Sequence, residues 1–323
     1  MGPGSDEDKV IAALWATRVR WARAADAAKR RVDRARVAVL CLGGAGAIAT
    51  AMTATVLRTS GPPQLAVATV GAICLALATF LGARFLSPAE FRRWTRTRAV
   101  AEDIKQVIFR FRAGAGPFRG DDALLRLHRA VGEIEATGDD LLPFLPDEHS
   151  DAARSGAHFP GSGAPPLLIP EEYVRERVQG SITDYYLRWA REYTARARRL
   201  RGAALLFGLA ATVVAAIAAV LAGTSTASGR TASATLLAPW VAVLTTLGAG
   251  VAGHLAGRRY EFLVMSYSAT ARRLGQLLYE WRAEGSPVDE HRWTAFVDDC
   301  ETLIAEQNET WVAKWTESPP DGR

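Results

Sequence analysis

The sequence is poor in the residues that build covalent or metal frameworks. Its three cysteines, Cys41, Cys74 and Cys300, lack CxxC spacing. They read as small apolar fillers, which excludes a disulfide scaffold or a thiolate metal site. The five histidines, His128, His149, His158, His254 and His291, are scattered. They offer neither metal-ligand spacing nor a Ser–His–Asp arrangement. No nucleophile or acid–base pair can be assembled, so no enzyme, catalytic residue, metal or cofactor is expected. The most consequential shortage is of charge. Residues 37–57, 64–83, 203–222 and 235–257 contain no Asp, Glu, Lys or Arg. Each stretch is about 20 residues long, enough for a helix to cross a hydrocarbon core of about 30 Å. None has the polar stripe of a soluble core helix. With no carboxylate at mid-depth, a proton-coupled transporter is disfavoured.

Charge is concentrated beside these stretches. Arg18, Arg20, Arg23, Lys29, Arg30, Arg31, Arg34 and Arg36 precede the first; Arg84, Arg92, Arg93, Arg96 and Arg98 follow the second. Arg188, Arg191, Arg196, Arg198, Arg199 and Arg201 precede the third, and Arg258 and Arg259 follow the fourth. The two connecting loops carry one Arg each, Arg58 and Arg230. This bias predicts both termini and the middle of the chain in the cytoplasm, with short loops outside. Arg is far commoner than Lys and Ala is abundant, a composition expected of a GC-rich bacterial genome. The expected location is therefore a bacterial inner membrane, with the first apolar run an anchor rather than a signal peptide.

The net charge of +5 and pI near 9.3 do not imply nucleic acid. The surplus Arg lies where it attracts anionic lipid headgroups, and no nucleic-acid motif accompanies it. Gly43-Gly-Ala-Gly46 looks superficially like a phosphate-cradling loop, but it lies inside an apolar stretch with no strand before it and no Lys after it. It reads as a close helix-packing site.

The chain contains an internal repeat. At a constant offset Ile104 meets Leu274, Gln106 meets Gln276, Phe109 meets Tyr279 and Phe111 meets Trp281. Before the hairpins, Trp21-Ala-Arg23 matches Trp189-Ala-Arg191. Both halves have the same orientation, a parallel duplication. Ile104, Val107, Ile108 and Phe111 recur at helical spacing, as do Leu274, Leu277, Leu278 and Trp281. Residues 121–137 read as a further helix, 138–170 as a Gly/Pro/Ser/Asp-rich linker, and 287–315 as a last helix. That helix has an apolar face including Trp293, Phe296 and Trp311, and acids including Asp298, Asp299, Glu301, Glu306 and Glu309. The expected fold is an all-α membrane protein: four transmembrane helices, as two tandem hairpins, continuing into a cytoplasmic helical bundle. Two units follow, 1–137 and 171–318. Trp281, Trp293, Phe296 and Trp311 are expected in the bundle, with Glu301 and Glu306 facing Arg residues between Arg188 and Arg199.

At these residues the chain resembles the SLATT family of two-span membrane domains, found beside nucleotide-signalling components in bacterial conflict systems. Tyr173-Val-Arg-Glu-Arg177, Tyr185-Tyr-Leu-Arg-Trp189 and Glu301 through Trp311 make residues 170–318 similar to its first subtype. Leu14-Trp15, Trp21-Ala22 and Trp94 to Phe111 make residues 10–135 similar to its third. The resemblance implies a membrane effector that forms a pore on a nucleotide signal, with a nucleotide-signalling protein as partner.

Small residues recur every fourth position: Ala249, Gly253 and Gly257; Gly43, Ala47 and Ala51; Ala68, Ala72 and Ala76. Such ridges let helices associate in lipid, either within one chain or as a homo-oligomer, and three ridges favour the oligomer. His254 is a candidate gate that changes charge near neutral pH; the alternative is a hydrogen bond to a neighbouring helix. Two functions compete: an oligomeric, pore-forming effector, and a membrane-anchored scaffold or sensor that recruits a cytoplasmic partner.

Overall fold

A computed structural model describes residues 4–56, 61–146, 167–225, 231–287 and 289–316, and every regular element among them is helical. Helix α1 spans Gly4–Thr55, α2 Pro62–Phe85, α3 Pro88–Arg112 and α4 Ala123–Ala136. A 3₁₀ helix, Asp139–Phe144, follows. Helix α5 covers 170–225: an α-turn at Pro170–Tyr173, π-helical stretches at Val174–Gln179 and Ser181–Leu187, then α-helix over Arg188–Ser225. Helix α6 is Thr231–Arg258, α7 Tyr260–Ala283 and α8 Glu290–Thr316. Arg259, at φ 48°, breaks the helix between α6 and α7. Among the described residues four helices are long and apolar enough to cross a membrane, and they coincide with the four uncharged stretches. Arg58 and Arg230 lie outside the described residues.

The helices group into two compact units, each drawing on both sequence repeats. One comprises Met1–Arg30, Pro88–Ala190 and Met265–Arg323; the other comprises Arg31–Ser87 and Arg191–Val264.

In the first unit α3 packs against α4 and α8. Its core joins Ile11, Leu14 and Trp21 of α1 to Ile104, Ile108 and Phe111 of α3 and Leu127 and Val131 of α4. Burying each such side chain is worth about 1.5–3 kcal/mol, so this interior is the main source of the unit's stability. Gly138 is needed here because a Cβ would lie 2.7 Å from the Trp21 ring, whose Nε1 donates to Glu135 Oε1 at 3.0 Å. The start of the stretch expected as a loose linker is ordered: Leu141 is buried in the core, and at the far end Leu168 N–H donates to Arg112 O at 2.8 Å. Residues 147–166 lie outside the description. A second cluster is aromatic. Trp281 stacks on Phe296 at 4.9 Å between centroids, and Trp293 lies 6.0 Å from Trp281 and 5.9 Å from Phe296. Trp293 Nε1 donates to Ala113 O at 2.8 Å, so its polar edge is satisfied. The side chain of Trp311 is outside the description.

The repeat is preserved in burial at three positions: Ile104 with Leu274, Ile108 with Leu278 and Phe111 with Trp281 are all buried. It fails at the fourth. Phe109 is 8% exposed and Tyr279 75% exposed, because α3 is covered where α7 is not.

In the second unit the apolar helices touch through glycines. A Cβ at Gly46 would lie 3.2 Å from the Gly71 carbonyl oxygen, so α1 and α2 meet backbone to backbone there. Gly44 meets Leu247 and Gly250 meets Leu40, joining α1 to α6. Only 6% of the most apolar window of α2 is buried, and Leu65, Phe80, Leu205 and Leu206 are exposed. A water-soluble protein would not leave so much contiguous apolar surface uncovered. At the helix ends Arg258 Nη1 donates to Asp33 Oδ1 at 2.6 Å, and Arg36 Nη2 donates to Gly257 O at 3.1 Å. Arg201 pairs with Glu261.

Candidate functional site

The first unit contains a cavity of about 310 Å³ lined mainly by polar and charged side chains. Helix α3 supplies Arg98, Glu102, Lys105 and Phe109, at i, i+4, i+7 and i+11, so one helical stripe forms one wall. The π-helical turns of α5 supply Arg177, Gly180, Ser181, Asp184 and Tyr185, and α8 adds Ile304 and Asn308. Thirteen residues with π geometry are unusual, since i→i+5 turns occur mostly singly and often at functional sites. The Gly180 N–H bonds to Arg175 O, five residues back.

One side of the cavity is closed by a buried ion pair. Arg177 Nε donates to Glu301 Oε1 at 2.8 Å and Nη2 to Oε2 at 2.6 Å, the bidentate geometry a guanidinium favours. Tyr173 Oη donates to Oε1 at 3.0 Å. Gln106 Nε2 donates to the Glu301 carbonyl oxygen at 3.1 Å, tying α3 to α8. The Arg177 guanidinium lies 4.5 Å from the centre of the Phe109 ring, Arg112 lies 5.0 Å from it and Trp15 packs edge-on at 6.4 Å, and together they cover Phe109. Burial pulls the Arg177 pKa down, but Glu301, helped by Tyr173 and Glu102, outweighs it and holds the guanidinium above its ordinary value. Burial, reinforced by Glu301, pushes the Tyr173 phenol well up. Burial also pushes the Cys300 thiol up, so this cysteine is an inert core residue.

The α3 wall carries a second charge system. Arg98 Nη2 donates to Tyr185 Oη at 2.6 Å, and Lys105 Nζ lies 3.8 Å from Glu102 Oε2. Burial raises the Glu102 pKa, but Lys105, Arg98, Arg18 and Arg177 together reverse this and bring it to about 2. Burial lowers Lys105 to about 8, against the opposing pull of Glu102. The Lys105 and Glu102 side chains remain 27% and 20% exposed, so this wall presents partly covered charges.

Residues 173–311 match the family described as "SMODS and SLOG-associating 2TM effector domain 1". The chain carries a SLATT domain over these residues. Residues 19–123 match a family described as "Protein of unknown function (DUF4231)". No curated protein and no solved structure matches the chain. The SLATT domain contains the π-helical turns, two of the apolar helices and the aromatic cluster, and makes the chain a membrane protein carrying a two-transmembrane effector domain.

The residues singled out from the sequence fall in different places. Glu301 pairs with Arg177, ahead of the Arg188–Arg199 segment expected to meet it, and Arg177 belongs to the π-helical turns. Asp298 pairs with Arg110 at 3.1 Å. Of the small-residue ridges, Ala249, Gly253 and Gly257 are exposed, and a Cβ on either glycine or on Gly43 meets no described atom within 4 Å. Ala47 is half-buried, while Ala51 is buried within the chain. His254 is half-buried on α6, without a hydrogen bond to another described residue. Thr50, Thr69, Thr79, Thr212 and Thr245 each donate to a carbonyl four residues back on their own helix. Their protons are thus committed to the backbone rather than to a polar path. Sequence reasoning missed Arg98, Glu102 and Lys105, whose spacing reads equally well as a solvated helix face.

Proposed function

We propose that this protein is a bacterial inner-membrane effector that acts as a homo-oligomer. Its first unit receives a signal, and its apolar helices form or widen a pore in response. The observation that carries the reading is the use made of small residues. Gly44, Gly46, Gly71, Gly248 and Gly250 are occupied in packing the chain's own helices, whereas Ala249, Gly253 and Gly257 form an exposed ridge on α6, where a Cβ on either glycine meets no described atom within 4 Å. Small-xxx-small ridges are where helices approach closely in lipid, so an exposed one suits a second copy. The match to a two-transmembrane effector domain supports the effector role. The Arg distribution favours four passes with both termini in the cytoplasm. The family's setting extends the reading to a nucleotide-linked conflict or defence system with a nucleotide-signalling partner. The resemblance of residues 10–135 to the third SLATT subtype extends it to a tandem of two effector units.

Reconstitution tests this. Liposomes carrying the full chain should become permeable to ions when the cognate signal is supplied, with crosslinked oligomers present. Protein that remains monomeric and ion-tight under that signal, while still binding a cytoplasmic partner, would establish the anchored scaffold instead.

A further inference from the structure

Helix α5 carries an unbalanced set of charges where it enters its apolar stretch. Between Arg188 and Ser225 it has six arginines and one carboxylate, Glu192. Two of the six are committed: Arg196 pairs with Glu192, and Arg201 pairs with Glu261. Arg191, Arg198 and Arg199 are exposed, and their side chains make no ion pair or hydrogen bond to a described residue.

Direction and depth single out two of these. Arg198 and Arg199 stand seven residues before Leu205 and Leu206, two helical turns along the same two rows. Leu205 is 74% exposed, Leu206 68% and Leu209 63%, and Val213, Ile217 and Val220 continue this outward face. Ala197 and Ala211, on the opposite side of the helix, are buried. The uncharged stretch begins at Ala203. At a rise of about 1.5 Å per residue, Arg198 and Arg199 lie about 6–7.5 Å before it and Arg191 about 18 Å before it. The polar layer flanking a hydrocarbon core is about 5–7.5 Å thick on each side. Arg198 and Arg199 therefore fall at headgroup depth, with Arg191 beyond it. Helical side chains lean toward the N-terminus, so both guanidinia point away from the hydrocarbon while their stems stay close to it.

We propose that this face of α5 binds an acidic phospholipid. Its phosphate sits between Arg198 and Arg199, and its acyl chains lie along Leu205, Leu206, Leu209 and Val213. Basic flanks attract acidic lipid in general; here the attraction narrows to one pair of guanidinia with no carboxylate of their own. A glycerol headgroup leaves the phosphate charge for them, whereas a choline headgroup brings a competing cation. The leucine rows add an apolar contact that a soluble phosphate compound cannot use. Such a site requires only that α5 crosses a membrane, and it stands whether or not the apolar helices associate or conduct.

The test titrates the full chain in detergent micelles with phosphatidylglycerol or phosphatidylcholine and counts bound lipid by native mass spectrometry. The first phosphatidylglycerol should bind about fivefold or more tighter than phosphatidylcholine. Arg198→Gln and Arg199→Gln should each weaken phosphatidylglycerol binding about fivefold, the worth of one cation at headgroup level, and leave phosphatidylcholine binding unchanged. Arg191→Gln removes the same charge from the same helix outside the headgroup layer and should leave both lipids unaffected. All three side chains are exposed, so folding is not at stake. Glycerol 3-phosphate, a soluble headgroup without acyl chains, is the last probe and should fail to compete. The proposal is overturned if the two lipids bind alike, or if neither Arg198→Gln nor Arg199→Gln weakens phosphatidylglycerol binding. An equal loss in Arg191→Gln would overturn it in favour of net charge, and binding of glycerol 3-phosphate as tight as the lipid would overturn it in favour of a soluble phosphate compound.

Discussion

Replacing Glu301 by Gln keeps the shape of the side chain and removes its charge, which isolates the buried ion pair. Arg177 is 4% exposed and Glu301 0% exposed, so water cannot take over when one partner is neutralised. The guanidinium would be left in the interior with two weakened bonds, at 2.8 and 2.6 Å in the native protein, and Tyr173 would lose its charged acceptor. Breaking a buried pair from one side costs about 3–5 kcal/mol. Tyr173→Phe, which removes one hydrogen bond to a charged group, should cost about 1.5–3 kcal/mol. The double variant Arg177→Met, Glu301→Leu removes both charges together. It should be more stable than the sum of its single variants implies, because neither charge is then stranded. The assay is reversible unfolding of the detergent-solubilised full chain, followed by the signal of the nearby Trp281 and Trp293. A cost below about 1 kcal/mol for Glu301→Gln would place the pair with exposed surface bridges and refute the account. So would strict additivity in the cycle.

Four further outcomes follow from the structure. Phe296→Ala empties a site stacked on Trp281 and should cost about 3–5 kcal/mol, while Arg292→Ala, which breaks an exposed pair with Glu284, should cost about 0–1 kcal/mol; equal costs in the same unfolding assay would contradict the packing argument. Gly46→Leu drives a side chain into the α1–α2 contact and should lower the melting temperature, whereas Gly253→Leu should leave it unchanged and reduce crosslinked oligomer; loss of stability in both would mean that the α6 ridge serves internal packing. Burial, with Glu309 and Glu102 nearby, raises Asp103 to about 6 from an ordinary 3.8. Its folded-state pKa is thus above its unfolded value, so it contributes stability below pH 4 that is lost as pH rises through about 6. Asp103→Asn should remove that slope, and an unchanged pH profile between 4 and 6 would disprove the assignment. Finally, with the three native cysteines removed, single cysteines at Ser60 and Ser228 should react with an impermeant reagent outside intact cells and those at Ser150 and Ser318 should not. Reaction at Ser150 would reverse the proposed topology.

How much was legible in advance differs by level. The all-helical class and the four apolar helices follow from composition along the chain, because lipid demands an uninterrupted apolar stretch and local backbone hydrogen bonding. The repeat, and the burial of Ile104, Ile108, Leu274 and Leu278, follow from helical periodicity, which needs no knowledge of partners. The SLATT domain of residues 173–311 was legible because its pattern is spread over many helix-packing positions.

The site was not legible, since it depends on which helix lies across from which. Arg98, Glu102 and Lys105 form a charged stripe that a sequence presents in the same way whether it meets water or a facing helix. The partner of Glu301 was misplaced because charge complementarity admits any nearby Arg, while two bidentate bonds require one held at the right height. The π-helical turns set that height. Their residues, Val174–Gln179 and Ser181–Leu187, carry no local signal that distinguishes i→i+5 from i→i+4 bonding. The same limit separates Phe109 from Tyr279: the repeat makes them equivalent, and it is the neighbours of Phe109, the Arg177 and Arg112 guanidinia and the Trp15 ring, that divide them. Sequence alone determined which segments are helical and apolar, because those properties are local. Tertiary structure decided which charges are buried together, because desolvation and pairing depend on neighbours far apart in the chain.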